Sequence, residues 1–155
     1  MIGTAENIIQ FLFKENSKDK QYEIKEHKER RSKNQNALLW ELLMQLQNKL
    51  HIPKEEIYRH YIKEIGDYEV VPIKEEAVSK FISAWQKNGI GWVCDIDTSK
   101  LKGYTNVICY YGSSTFNTVQ MTRLIDMIIE DCKIQGIETD FYMKELMKYE
   151  KVNNA

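Results

Sequence analysis

Residues 28–36 read Lys-Glu-Arg-Arg-Ser-Lys-Asn-Gln-Asn, and no other stretch of the chain offers chemistry as specific. Four cations, Lys28, Arg30, Arg31 and Lys33, crowd the approach to a leucine-rich helix. Ser32 and Gln35 stand at capping-box spacing, in which each side chain accepts from the other residue's amide. A helix start also presents free N–H groups at the positive end of its dipole, so backbone and cations act in the same sense. The chemistry is capture of a phosphate by Arg30, Arg31 and Lys33. Asn34 and Asn36 can bond to sugar, phosphate or base. An exposed aromatic ring beside cations stacks a base. Tyr22 and Trp40 are the aromatic neighbours, although Trp40 lies within the leucine stripe and reads as core. The plain alternative is a solvated charge run in front of an ordinary cap.

A second candidate is Tyr110-Tyr111-Gly112-Ser113-Ser114-Thr115, which leaves a strand and leads into a helix. Its small hydroxyl residues, Ser113, Ser114 and Thr115, can hold an anion together with backbone N–H groups. The glycines and lysine of a phosphate-binding P-loop are missing, as is the G-x-S-x-G of a nucleophile elbow. A third candidate is Asp95 with Asp97, two acids on one face of a strand. Such a pair, with Glu75 and Glu76 as further ligands, can hold Mg²⁺ in a nuclease. His27, His51 and His60 are scattered and make no metal or triad spacing.

These groups must be positioned by elements that the apolar pattern places. A helix is expected over residues 4–14 with Thr4 as cap, then a strand over 22–26 from its period-two alternation. The helix over 33–50 carries Leu39, Leu42, Leu43, Leu46 and Leu50 on one stripe, widened by Leu38, Trp40 and Met44 almost to a full circumference. Such a helix is buried centrally or lies in a subunit interface. Pro53 suits the first turn of the next helix, over 53–65. A strand over 68–73, with Pro72 marking an edge, precedes a helix over 74–87. Strands over 91–96 and 105–111 form an antiparallel pair. Asn117 and Gln120 form a second capping box for a helix to about residue 135, stopped by Gly136. Residues 140–155 are read as a partly helical or flexible tail. The fold expected is α+β: a small antiparallel sheet with several amphipathic helices, in one domain over residues 1–139.

The composition allows this and little else. The chain has 155 residues, 43% of them hydrophobic, with 22 basic and 23 acidic side chains and a net charge of -1. A nucleic-acid face must therefore come from local segregation of charge. Three widely spaced cysteines without a CxxC form neither a disulfide framework nor a zinc site and suit a reducing cytoplasm. No signal peptide or membrane span is expected, and no cofactor is called for.

Arg31-Ser32-x-x-Gln35-Asn36-x-x-Leu39-Trp40 resembles a segment of the phage NinB/Orf recombination-mediator family, the bacteriophage lambda Orf-like proteins. Gly112-x-Ser114-Thr115, followed by Met121 and Leu124-Ile125, is similar to that family's second block, with a different loop spacing. Residues 87–93, 110–115 and 136–139 resemble its Firmicutes prophage branch. The resemblance covers about residues 22–139, and the helical residues before it depart from the family's hairpin-like start. It implies an α+β homodimer that binds single-stranded DNA and the host single-strand-binding protein and helps a recombinase or annealing protein to load. It implies no catalytic residues. Arg31, Ser32, Gln35, Asn36, Ser114 and Thr115 are the positions that match its pattern. Dimerisation would set two basic turns around one cleft and add avidity. Two other classes compete: a Mg²⁺-dependent phage nuclease built on Asp95 and Asp97, and a non-enzymatic module that engages a host repair or defence protein through residues 140–155.

Overall fold

The computed structural model describes residues 2–15, 19–25 and 33–153. The elements in chain order are α1 (Ala5–Glu15), α2 (Lys33–Leu50), α3 (Lys54–Ile65), β1 (Tyr68–Lys74), α4 (Val78–Gln86), β2 (Cys94–Thr98), β3 (Tyr104–Tyr110), α5 (Thr118–Ile134) and α6 (Asp140–Asn153). Short 3₁₀ turns, Glu75–Ala77 and Ser113–Thr115, precede α4 and α5. The strands form one antiparallel sheet in the order β1-β3-β2. This is the α+β architecture expected.

The core is helical. α2 packs against both α3 and α5, and α6 packs on α5. Leu39, Leu42, Leu43 and Leu46 of α2 meet Ile62 of α3 and Leu124, Ile125 and Ile128 of α5, each at most 1% exposed. Burying a leucine or isoleucine side chain stabilises by roughly 1.5–3 kcal/mol, so this cluster carries the fold. The leucine stripe of α2 is covered within one chain by α3 and α5, while Met44 and Leu50 remain exposed.

β1 and β2 are the edges of the sheet, and an edge is where Pro72 is tolerated. α4 lies across all three strands. Its Trp85 indole donates to Tyr110 O at 2.9 Å. The expected helix over 74–87 is split, because the 3₁₀ turn Glu75–Ala77 completes the turn out of β1 before α4 begins. The capping box of α5 is present on both sides: Gln120 N donates to Asn117 Oδ1 at 2.8 Å, and Asn117 N to Gln120 Oε1 at 3.0 Å. Gly136 follows α5 with φ +74°, the left-handed stop that glycine supplies without a Cβ clash.

Two segments differ from expectation. Residues 21–25 form no strand and are exposed throughout. Among the described residues no strand pairs with them, and Tyr22 instead sets its ring edge-on to Phe11 of α1 at 6.1 Å. Its hydroxyl donates to Glu15 at 3.0 Å. β2 starts at Cys94 rather than at residue 91, because residues 89–92 turn. Residues 140–153 take the helical alternative: α6 buries Leu146 and packs Tyr142 and Met143 against the core. Among the described residues, no helix is long and apolar enough to cross a membrane.

Candidate nucleic-acid interface

Three segments far apart in the chain meet beside the start of α2. The first is α2 itself, whose opening turn carries Asn36 and, one turn later, Trp40. The second is the connection after α4. Asn88 caps the last turn of that helix, its side-chain amide donating to Trp85 O at 2.9 Å. Gly89 takes φ +155°, and Trp92 N returns to Gly89 O at 3.1 Å, which reverses the chain. The third is the 3₁₀ turn between β3 and α5, with Thr115 N donating to Gly112 O at 3.1 Å and Phe116 N to Ser113 O at 3.0 Å. The Thr115 hydroxyl closes the same turn on Gly112 O at 2.9 Å.

Tyr58 of α3 locks these pieces together. Its hydroxyl accepts from Ser113 N at 3.0 Å and lies 2.6 Å from Ser113 Oγ. Its ring packs on Trp40 with centroids 5.1 Å apart. A Cβ on Gly91 would fall 2.6 Å from Tyr58 Oη, and one on Gly112 would fall 2.8 Å from the Trp92 ring. Both positions are closed to any side chain by contact. The Trp92 indole N–H donates to Ser114 Oγ at 3.2 Å. Its ring stands edge-on to Trp85 at 5.1 Å and to Tyr111 at 5.3 Å. Offset and edge-on aromatic pairs of this kind add about 0.5–1.5 kcal/mol each beyond their buried area. The result is a groove of about 340 Å³ between Asn36, Trp40 and Tyr58 on one side and residues 88–92 and 112–114 on the other.

The groove thus collects Asn36, Ser113 and Ser114, which the sequence offered in two separate blocks. It does not collect all the candidates. Lys28, Arg30, Arg31 and Ser32, and with Ser32 the first capping box, lie outside the described residues. Lys33 opens α2. Asn34 is exposed. Gln35 is fully buried, its amide donating to Thr122 Oγ1 at 2.9 Å and more weakly to Thr118 O at 3.4 Å. It ties α2 to α5, and its place among the DNA-facing residues is given up: a contact made by a side chain packed between two helices is structural. Ser113 is also buried, so it shapes the groove wall while Ser114 and Thr115 remain exposed.

The acidic alternative is differently placed. Asp95 pairs with Lys63 of α3 at 2.5 Å, and Asp97 Oδ1 accepts from the neighbouring Thr98 amide at 2.7 Å. No group of three His, Cys, Asp or Glu placed to hold a metal ion occurs among the described residues. The three cysteines are free.

Four groove residues carried no sequence signal for their role. Tyr58 reads as one more member of the α3 apolar stripe with Ile57, Tyr61 and Ile62. Gly91 reads as a strand end, Gly112 as part of the hydroxyl-rich loop, and Trp92 as a strand residue. Only the tertiary contacts show glycine beneath each ring. No protein-family model, no curated protein and no solved structure matches the chain.

Proposed function

We propose that this chain binds single-stranded DNA in the groove beside the start of α2, without cutting it, as a recombination mediator of the NinB/Orf kind. The observation that carries the reading is the meeting of Asn36, Trp92 and Ser114 around one groove at a helix start. An amide, an indole and a hydroxyl are what an unpaired strand needs: a π-face for a base and polar groups for sugar and phosphate. Chain connectivity adds the charge. Arg30 and Arg31 stand three and two residues before Lys33, the first residue of α2, in the sequence. The free N–H groups of that first turn reinforce the same sign.

The partners belong to the same proposal and rest on the resemblance. They are the host single-strand-binding protein and a recombinase or annealing protein, with a homodimer that doubles the basic turn. The setting is the cytoplasm of a bacterial host.

Fluorescence anisotropy of labelled oligonucleotides across salt concentrations, with Mg²⁺ present, tests the core of it. Expected are weak, sequence-independent binding, an intact strand, and a log–log salt slope of about -2 to -3 for three or four neutralised phosphates. Trp92→Ala should weaken binding. A cut strand, or no binding at low salt, overturns the proposal.

A further inference from the structure

A second groove, of about 840 Å³, opens on the far side of the 89–92 turn. It shares Gly89, Ile90 and Trp92 with the first. The turn is therefore a saddle between two troughs, with the half-buried Trp92 lining both. The other wall of the second trough is α3, which presents Glu56, Arg59, His60 and Lys63 to it. Those positions are spaced i, i+3, i+4 and i+7, so they form one stripe along the helix.

We infer that a bound single strand crosses this saddle and continues into the second groove, where Arg59 and Lys63 grip its phosphates. The inference rests on the proposed binding at the first groove and extends it. Arg59 Nε donates to Ile90 O at 3.1 Å, which anchors the guanidinium on the saddle. That bond uses one of its five N–H donors. One turn further along α3, Lys63 pairs with Asp95, with the two side chains 40% and 41% exposed. An ion pair this open to water contributes little, so a phosphate exchanges with the carboxylate at small cost. Glu56 stands at the opposite end of the stripe. Arg59 and Lys63, one turn apart, set two cations along the stripe beyond Glu56, and they are the pair that a polyanion would meet. A nucleic acid fits better than an acidic peptide because the residues common to both troughs, Gly89, Ile90 and Trp92, include an indole, which stacks bases in any sequence.

The test uses the full chain and oligo-dT of about 4 and about 12 nucleotides, within the range of known single-strand site sizes. The salt slope is the decisive reading. Extra registers on a longer strand raise affinity without changing how many phosphates are neutralised. Wild type is expected to show a slope steeper by about 1.4 with the 12-mer, from two more phosphate contacts at roughly 0.7 each. Arg59→Gln with Lys63→Gln should bind the 4-mer as wild type does and lose the added slope, with about a tenfold weaker 12-mer complex. Lys63→Arg should restore most of the Lys63 share, and an unchanged Tm should accompany each variant, since both side chains are exposed. A steeper 12-mer slope that survives in the double variant overturns the path. A wild type that fails to bind the 4-mer, together with a 12-mer complex indifferent to Trp92→Ala, overturns the underlying groove reading instead. Displacement of the 12-mer by poly-glutamate, with the same dependence on Arg59 and Lys63, would reassign the second groove to a peptide.

Discussion

Tyr58 and Ser113, 55 positions apart, are joined twice: the Ser113 amide donates to the Tyr58 hydroxyl at 3.0 Å, and the two hydroxyls lie 2.6 Å from one another. Tyr58→Phe removes both bonds and keeps the ring. A cost of about 1–3 kcal/mol in unfolding free energy is expected, read by urea denaturation. Weaker single-strand binding should accompany it. Ser113→Ala leaves the amide bond in place and should cost about 1 kcal/mol.

Gly91→Ala and Gly112→Ala place a methyl group into the Tyr58 and Trp92 rings respectively. Overpacking of this kind costs about 1–3 kcal/mol, and both variants should also lose binding. Gly103→Ala is the control. Space around its Cβ is open, but its φ is +80°, so about 1 kcal/mol of backbone strain is expected with binding unchanged. Equal loss of binding in all three variants would show that the groove is irrelevant to it.

Arg30→Ala with Arg31→Ala tests the basic turn. Affinity should fall, and the salt slope should become shallower by about 1, while the melting temperature stays put. Unchanged affinity would remove the turn from the interface.

Alkaline pH should destabilise the protein. Burial, followed by the nearby Cys109, pushes the Cys94 thiol up to about 12. Burial, then Asp131, pushes Cys132 up to about 11. The Tyr61 phenol is also raised, by burial first and then by its bond to Asp131, which it makes at 2.5 Å. An ordinary thiol ionises near 9.0. Between that pH and the raised folded values the native state holds more protons than the unfolded chain, so stability falls as pH rises. Below about pH 9 the contribution is present in full. Thermal melts under reducing conditions should be flat from about pH 6 to 8 and decline above about pH 9, less steeply in Cys132→Ala. A rise in Tm above pH 9 would contradict these assignments. For the same reason, alkylation of Cys94 should accelerate with pH without levelling near pH 9.

Truncation after Thr139 removes α6 and uncovers the side of α5 against which Leu146 packs. A lowered Tm, by about 10 °C or more, is expected from losing a buried leucine and its half-buried neighbours. Pull-down with the truncated chain would therefore report on folding as much as on a partner. Phe141→Ser, on an exposed side chain of the same helix, is the cleaner probe of α6 as a contact surface.

The parts of this fold legible in the sequence are those governed by local rules. α2 spans the 33–50 expected from its leucine stripe, and the Asn117–Gln120 box opens α5 as its spacing requires. Segments whose state depends on a remote partner were not legible. Tyr22 and Ile24 alternate as a strand would, yet no strand among the described residues accepts them. Trp92 looks like a strand residue, but its ring finds Gly112 and the chain turns to put it there. The candidate site divides in the same way. Asn36 and Ser114 are polar residues at element starts, which spacing reveals. Gln35 has the same polarity and lies one residue away, but the helix rotates it by about 100° toward α5. Its place four residues before Leu39 and seven before Leu42 sets it on the leucine stripe, a spacing that its polarity disguises.

The strand-to-helix connection that carries Ser114 is held at both of its ends by one residue. Tyr111 N donates to Asp67 O at 3.0 Å, and the Gln120 side chain donates to Asp67 Oδ2 at 3.3 Å. A segment pinned in this way before any ligand arrives has few alternative shapes to give up on association. The loss of freedom then falls on the incoming molecule, so tight complexes require a guest that is already extended. A strand held in hairpins should bind poorly here, and one stretched by another protein should bind well.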